Sequence, residues 1–201
     1  PELASSPGVF RRTDDTSRFR PVGSMVFTSE ETLAAEARLL ERSRTITAPT
    51  VQVKVIEKIA RRPDREGRLL GEDQAAALAK IAVSGRVVDV LVGPAGAGKT
   101  TAMSALRVAW EREHGRGSVI GLAPSAVAAQ VLSDDLGIRA ENTAKWWQTH
   151  QETGATFRKH QLVIVDEASL AGTLSLDRIT AHATEVGAKV LLAGDWAQLQ
   201  P

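Results

Sequence analysis

The chain has 201 residues, with 25 Lys and Arg against 24 Asp and Glu. That length supports one good domain plus a smaller appendage, and the charge balance gives no global footprint for nucleic acid. There is no Cys and no Tyr, which excludes disulfides, thiolate metal sites and tyrosine-nucleophile chemistry within these residues, and the four His show no ligand spacing. No apolar run approaches about 18 residues and nothing resembles a secretory signal, so no membrane span is expected and a cytoplasmic setting is the default.

Residues 1–24 are rich in Ser, Pro, Arg and Asp with little apolar periodicity, and read as a linker or loosely docked arm. Cap residues at Thr28 and Ser29, followed by Leu33, Ala34, Ala37 and Leu40 at helical spacing, predict a helix over about 29–43. Val51 to Ile59 fits a strand or a helix, with its Lys and Glu content favouring helix; residues 25–69 thus read as a small helical extension. Arg61, Arg62, Arg65 and Arg68 follow as a basic connector, of the kind that is usually a solvated face. From about residue 70 the character changes. Helices are expected at Glu72–Ser84, Lys99–His114, Ala126–Leu136, about 143–151 and Leu174–Glu185. Four strands are expected at Val87–Val92, Ser118–Ala123, Leu162–Val165 and Lys189–Ala193. Alternating strands and helices predict an α/β domain with a parallel sheet over residues 70–201.

The chemistry concentrates at two strand ends. Gly93-Pro94-Ala95-Gly96-Ala97-Gly98-Lys99-Thr100 fits the P-loop spacing GxxxxGK[ST], after an apolar strand and before a helix, as that motif requires. Its glycines let successive backbone N–H groups turn inward on phosphate oxygens, and the helix start behind them favours anions. Lys99 would neutralise the β- and γ-phosphates, Thr100 would place a hydroxyl on Mg²⁺, and Thr101 continues the cradle. Leu162-Val163-Ile164-Val165-Asp166-Glu167 is an apolar strand ending in two acids. Asp166 would hold Mg²⁺, directly or through water, and Glu167 would act as general base on the attacking water. ATP and Mg²⁺ are the implied cofactors.

Three further pieces carry a family resemblance. Leu70-Gly71-Glu72-Asp73-Gln74 resembles the helicase Q motif, Ala123-Pro124-Ser125-Ala126-Val127 resembles motif Ia, and Gly194-Asp195-Trp196-Ala197-Gln198-Leu199-Gln200-Pro201 resembles motif III. Together they look like the first RecA-like domain of a superfamily 1 DNA helicase of the RecD type. The stretch MVFTSEETLAAEARLLERS is similar to the segment before the helicase core of MobF-type conjugative relaxase–helicases. The resemblance implies that Gln74 reads adenine and that Gln198 senses the γ-phosphate as a catalytic residue beside Lys99 and Glu167. It implies single-stranded DNA as partner, touched at Pro124 and Ser125, with Thr143, Trp146 and Trp147 as further candidates. It also implies a second RecA-like domain, supplying an arginine finger, and partners in conjugation. The start at Pro1 and stop at Pro201 suggest a piece of a longer protein, better at binding ATP than at hydrolysing it. By analogy with RecA-like motors, the expected strand order is P-loop strand, motif III strand, acid-tipped strand, motif Ia strand. A stand-alone RecD-like repair helicase, a P-loop phosphotransferase and a regulatory nucleotide-binding module remain open alternatives.

Overall fold

The computed structural model describes residues 29–63, 67, 69–94 and 96–195. Five parallel strands form one sheet: β1 (Val88–Val92), β2 (Val119–Ala123), β3 (Arg139–Asn142), β4 (Leu162–Val165) and β5 (Lys189–Gly194), in the order β1-β5-β4-β2-β3. Among the described residues seven α-helices surround it: α1 (Glu30–Arg44), α2 (Val53–Ala60), α3 (Glu72–Val83), α4 (Lys99–His114), α5 (Ala126–Leu136), α6 (Thr143–Thr153) and α7 (Thr173–Val186). The expected order of four strands is met. The segment from Val51 to Ile59 is helical from Val53, with Gln52 as the N-cap.

The fifth strand, β3, is an addition to the expectation. Its sequence, Arg-Ala-Glu-Asn, has no apolar run to announce it, because it sits at the sheet edge and three of its four residues are polar. It forms by pairing with β2 over Ile120↔Arg139 to Ala123↔Asn142. Gly137, in the left-handed conformation at φ 61°, ends α5 and turns the chain into it.

Both faces of the sheet are covered, as a parallel sheet requires. β4 shows the division residue by residue. Leu162 and Ile164 face one core with α2, α3, α4 and α5, whose largest buried side chains include Trp110, Met103, Leu106 and Leu78. Val163 and Val165 face a second core with α6 and α7, built around Ile179, Trp146, Phe157 and Val190. Trp110 is fully buried yet satisfied, because its indole N–H donates to the His160 carbonyl at 3.0 Å. Val51, Ile56 and Ile59 belong to the same core as α3 and α4, so α2 is packed into the sheet domain and does not stand apart from it.

α1 is held differently. Ser29 caps it by accepting from the Thr32 N–H at 3.1 Å, and only Ala35 is buried. Its grip on α7 is ionic: Arg42 Nη1 and Arg38 Nη2 lie 2.5 and 2.6 Å from the two carboxylate oxygens of Asp177. Burial alone pushes the Asp177 carboxyl up, but hydrogen bonds from Arg38 and Arg42, together with their charges, outweigh it and hold the group below the usual carboxylate range. A second knot lies at the N-terminal ends of β1 and β5. Lys189 is fully buried and donates to Asp89 at 2.6 Å, Ser84 Oγ at 2.8 Å and the Arg86 carbonyl at 2.7 Å. Burial pushes its ammonium down, against the pull of Asp89.

Two outcomes follow for stability. A Cβ at Gly121 in β2 would come within 2.6 Å of Leu132 Cδ2 and 2.9 Å of Ala140 Cβ. Gly121→Ala therefore overpacks the β2–β3–α5 contact and lowers unfolding free energy by about 1–3 kcal/mol, read as a lower urea midpoint at unchanged slope. For Asp177, the folded carboxyl titrates below its unfolded value, so its stabilisation is present above about pH 4 and is lost as pH falls through the folded value. Asp177→Asn lowers stability at pH 7, and the gap to wild type narrows as unfolding is followed into acid; a gap independent of pH would refute the ionic account of α1 docking.

Candidate nucleotide site at the sheet edge

In a parallel sheet every strand ends at the same edge, and here that edge collects the loop and the acids. β5 lies between β1 and β4, with Val92 level with Gly194 and Val165 level with Leu192. Two strand spacings separate the ends of β1 and β4, roughly 10 Å. The Gly93 N–H donates to the Gly194 carbonyl at 3.4 Å, so the loop after β1 is tied to the end of β5.

The loop turns as its glycines allow. Gly98 caps α4 in the left-handed conformation at φ 74°, and Lys99 is the first helical residue. Lys99 Nζ bends back over the loop and donates to the carbonyls of Gly93 and Pro94 at 2.5 and 3.0 Å. Its ammonium is thus satisfied by acceptors that a phosphate oxygen can replace. Thr100 is exposed and Thr101 half-buried in the first turn of α4, beside the free N–H groups of the helix start. Ala95 lies outside the described residues.

Gln74 reaches this loop from α3. Its Oε1 accepts from the Gly71 N–H at 3.0 Å, half of a capping box, and its Nε2 donates to the Ala97 carbonyl at 3.4 Å. The same amide lies over Gly98, where a Cβ would stand 2.0 Å from Nε2. Glycine is required there twice, for φ and for the approach of Gln74.

β4 delivers the acids. The Asp166 N–H donates to the Leu122 carbonyl at 2.9 Å, extending the ladder by one residue, and both carboxylates are half-buried. Asp166 Oδ1 accepts from the Glu167 N–H at 3.0 Å. Glu167 adopts φ 49°, ψ 39°, a conformation uncommon outside glycine, and opens a 3₁₀ turn, Ala168–Leu170, closed by the Leu170 N–H to the Glu167 carbonyl at 2.9 Å. Unusual backbone of this kind gathers at functional sites. No group of three or more His, Cys, Asp or Glu able to hold a metal occurs among the described residues. Mg²⁺ needs none, since it is commonly held through one or two carboxylates plus substrate phosphates, and the half-buried Asp166 carboxylate and the exposed Thr100 hydroxyl, on elements that end and begin at the same sheet edge, are donors of the kind it takes.

The expected DNA-contact residues divide. Ser125 is exposed at this edge and caps α5, accepting from the Ala128 N–H at 3.0 Å, with Pro124 half-buried before it. Thr143 and Trp146 are corrected to core positions. Thr143 is 6% exposed, and Trp146 is 9% exposed with its ring stacked on Phe157 at 4.8 Å and 4°, leaving no face for a base. Trp147 is half-buried on the flank, under the Arg178 guanidinium 4.8 Å from its ring centre. Arg61 and Arg62 are exposed at the end of α2; Arg65, Arg68, Trp196 and Gln198 lie outside the described residues. Asn142, missed in the sequence, caps α6 at the same edge, its Oδ1 accepting from the Lys145 N–H at 2.7 Å; its pairing with a following Thr at a helix start was the available signal. A cavity of about 690 Å³ lies elsewhere, between edge strand β3, Trp146 and Phe157, away from the loop and the acids.

Known proteins share this fold. A family model described as an AAA domain matches residues 69–201. The chain belongs to the AAA domain family. It is 32% identical over 178 residues to a probable conjugal transfer protein TraA of Sinorhizobium fredii, covering 87% of this chain and 16% of that protein. It is 30% identical over 199 residues to the conjugal transfer protein TraA of Agrobacterium fabrum, covering 98% and 18%. The chain therefore spans less than a fifth of the length of these curated relatives. The crystal structure of the UvsW helicase from bacteriophage T4 shares the fold, with a TM-score of 0.57 at 14% identity over 74% of this chain and 62% of that one. The RecA-like P-loop fold expected from the motifs and the likeness to conjugative transfer proteins expected from the stretch before them are thereby borne out. No helix among the described residues is long and apolar enough to cross a membrane.

Gly98→Ala and Gly96→Ala separate the two demands on the loop. Both place a side chain at positive φ, at 74° and 78°, but a Cβ at Gly96 meets nothing within 4 Å. The expected result is that Gly98→Ala lowers the unfolding temperature more than Gly96→Ala does. Introducing Gln74→Ala should remove most of that difference.

Proposed function

We propose that this chain forms the ATP-binding and hydrolysing part of a DNA helicase that moves along single-stranded DNA, acting in conjugative transfer. One observation carries the reading: the strand order β1-β5-β4 sets the Gly93–Thr100 loop and the Asp166–Glu167 pair at one edge, two strands apart. Membership of the AAA domain family, the TraA relatives and the helicase fold support it.

In this reading ATP lies along the loop. Gly93, Pro94, Ala95, Gly96, Ala97 and Gly98 present their backbone to the phosphates, and Lys99 exchanges the Gly93 and Pro94 carbonyls for β- and γ-phosphate oxygens. Thr100 and Asp166 hold Mg²⁺, which supplies charge neutralisation on the phosphates. Thr101 supports the cradle from the next helical position. Gln74, already in contact with the Ala97 carbonyl, reads the adenine edge. Glu167 accepts the proton of the attacking water, and transfer to water then rests on position and charge. Gln198 senses the γ-phosphate. Single-stranded DNA crosses the exposed edge at Pro124 and Ser125, with Trp147 the one member of the Trp pair retaining exposed surface for stacking. A second RecA-like domain completes the groove and supplies an arginine finger, and the conjugation machinery supplies further partners.

The test uses the full-length protein. Glu167→Gln keeps ATP binding in calorimetry and lowers DNA-stimulated turnover by about 10²–10⁴-fold, whereas Lys99→Ala loses tight binding with the fold intact by circular dichroism. Near wild-type hydrolysis by Glu167→Gln would remove Glu167 as the base. Turnover indifferent to single-stranded DNA would replace the helicase by a phosphotransferase or a nucleotide-gated module.

A further inference from the structure

All four histidines of the chain stand in pairs that bridge separate elements. His114, at the end of α4, lies 5.5 Å from His160, ring centre to ring centre. His150 on α6 and His182 on α7 are closer, at 4.1 Å and 56°. Two imidazoles in contact cannot both become cations without repulsion, so the second proton on such a pair is resisted. Neither pair takes part in the nucleotide site described above.

The hydrogen bonds fix which nitrogen titrates. His150 Nδ1 lies 2.8 Å from the Ala155 carbonyl, which can only accept, so Nδ1 carries the hydrogen and Nε2 is the basic nitrogen. His182 Nδ1 faces Glu185 Oε2 at 3.4 Å and is likewise turned to an acceptor. The surroundings accept one positive charge and resist a second. The indoles of Trp146 and Trp147, 6.0 and 5.3 Å from the His150 ring at 19° and 23°, favour a cation between them. Glu185 favours it too, but is 68% exposed and therefore screened. Against a second charge stand the partner imidazole and Arg178, one turn before His182 on α7, whose guanidinium rests 4.8 Å over Trp147. The remaining charges nearby are taken elsewhere. Asp177 is held by Arg38 and Arg42 of α1, Glu152 by Gln148, Lys145 by Glu141, and Arg158 donates to the Gly117 carbonyl. Lys159 lies at Gly187, beyond the end of α7. Burial pushes the His182 imidazole below its ordinary value, the charge of His150 adds to that, and Glu185 offsets only part of it.

We propose that His150 and His182 form a proton-operated latch between α6 and α7, closed while the pair holds at most one proton and weakened by the second. The step is addition of a solvent proton to an Nε2 lone pair, reversed by base. The contact it guards seats α6, and with it Trp146 against Phe157, on the core. His182 sets the direction. Its folded value lies below its unfolded one, so its contribution to stability is whole above about pH 6.5 and is lost as pH falls through the folded value. The loss begins well above the acid range in which Asp177 acts.

The experiment follows the 201-residue chain by NMR between about pH 8 and pH 5, in wild type, H150Q, H182Q and H114Q. In wild type the His150 and His182 imidazole signals trace two-step curves with shared midpoints. In H150Q the His182 curve becomes a single step and its midpoint rises, because the neighbouring charge is gone. Amide hydrogen exchange, corrected for intrinsic rate, reads the latch. In wild type α6 loses protection about tenfold across the second step, while α5, which carries no His, keeps its own. H150Q and H182Q remove that loss at α6, and H114Q retains it. Independent single-step curves in wild type, or an unchanged His182 midpoint in H150Q, would overturn the pairing. Two-step curves without loss of α6 protection would overturn the latch. Should H150Q fail to fold, H182Q gives the same comparison on the His150 signal.

Discussion

The parallel hydrogen-bonded ladder is the constraint on which the rest depends. Every strand must end at the same edge, and a strand from the far end of the chain must lie between the two that carry chemistry. Without β5 the ends of β1 and β4 have no common reference. With it, Val92, Gly194, Leu192 and Val165 stand in fixed register, and the Gly93–Gly194 hydrogen bond joins the loop to the same ladder. Because a parallel sheet must be covered on both faces, the helices that connect the strands are also the ones that start at this edge. α4, α5 and α6 all begin there, and their free N–H groups face the same side.

The site is held from behind by charge as well as by packing. The Lys189–Asp89 pair, with Ser84 and Arg86, ties the end of α3 to the starts of β1 and β5. Because α3 carries Gln74 at its other end, this buried knot fixes the helix that reaches over Gly98. On the opposite face Asp177 gathers Arg38 and Arg42 and fastens α1 to α7. A buried ion pair adds little stability over an apolar isostere; what these pairs supply is orientation, since a carboxylate shared by two guanidinium groups accepts few alternative arrangements.

The edge itself is poised and not closed. Lys99 rests on carbonyls of its own loop, Glu167 holds an unusual backbone angle, and Ser169 keeps a hydroxyl without a partner. Each is a local cost set beside a well-packed core, where Leu162, Val163, Ile164 and Val165 are fully buried. Cost of this kind persists only where the surrounding structure over-determines it. Trp146 shows the contrary case: its sequence context suggested a surface for DNA, and the fold used it to fill the core under β2 and α6.

Much of this was legible in the sequence because it depends on local chemistry. Apolar runs ending in a Gly-rich loop or in Asp-Glu mark strands and their functional ends whatever surrounds them, and Ser29 and Ser125 cap their helices through bonds that span only three residues. The order of the four strands carrying the motifs followed from the resemblance those motifs bear to RecA-like motors. What the sequence could not decide depends on contacts between distant residues. β3 is a strand because β2 offers it an edge, not because Arg-Ala-Glu-Asn prefers extension. Asp177 and Lys189 look like ordinary surface charges until partners 139 and 105 positions away enclose them. The two adjacent tryptophans are equivalent in sequence, and only the approach of Phe157 and Arg178 assigns one to the core and the other to the flank. Ser169 is one serine among many until the tertiary fold covers its hydroxyl oxygen and withholds a partner, which no local pattern can encode.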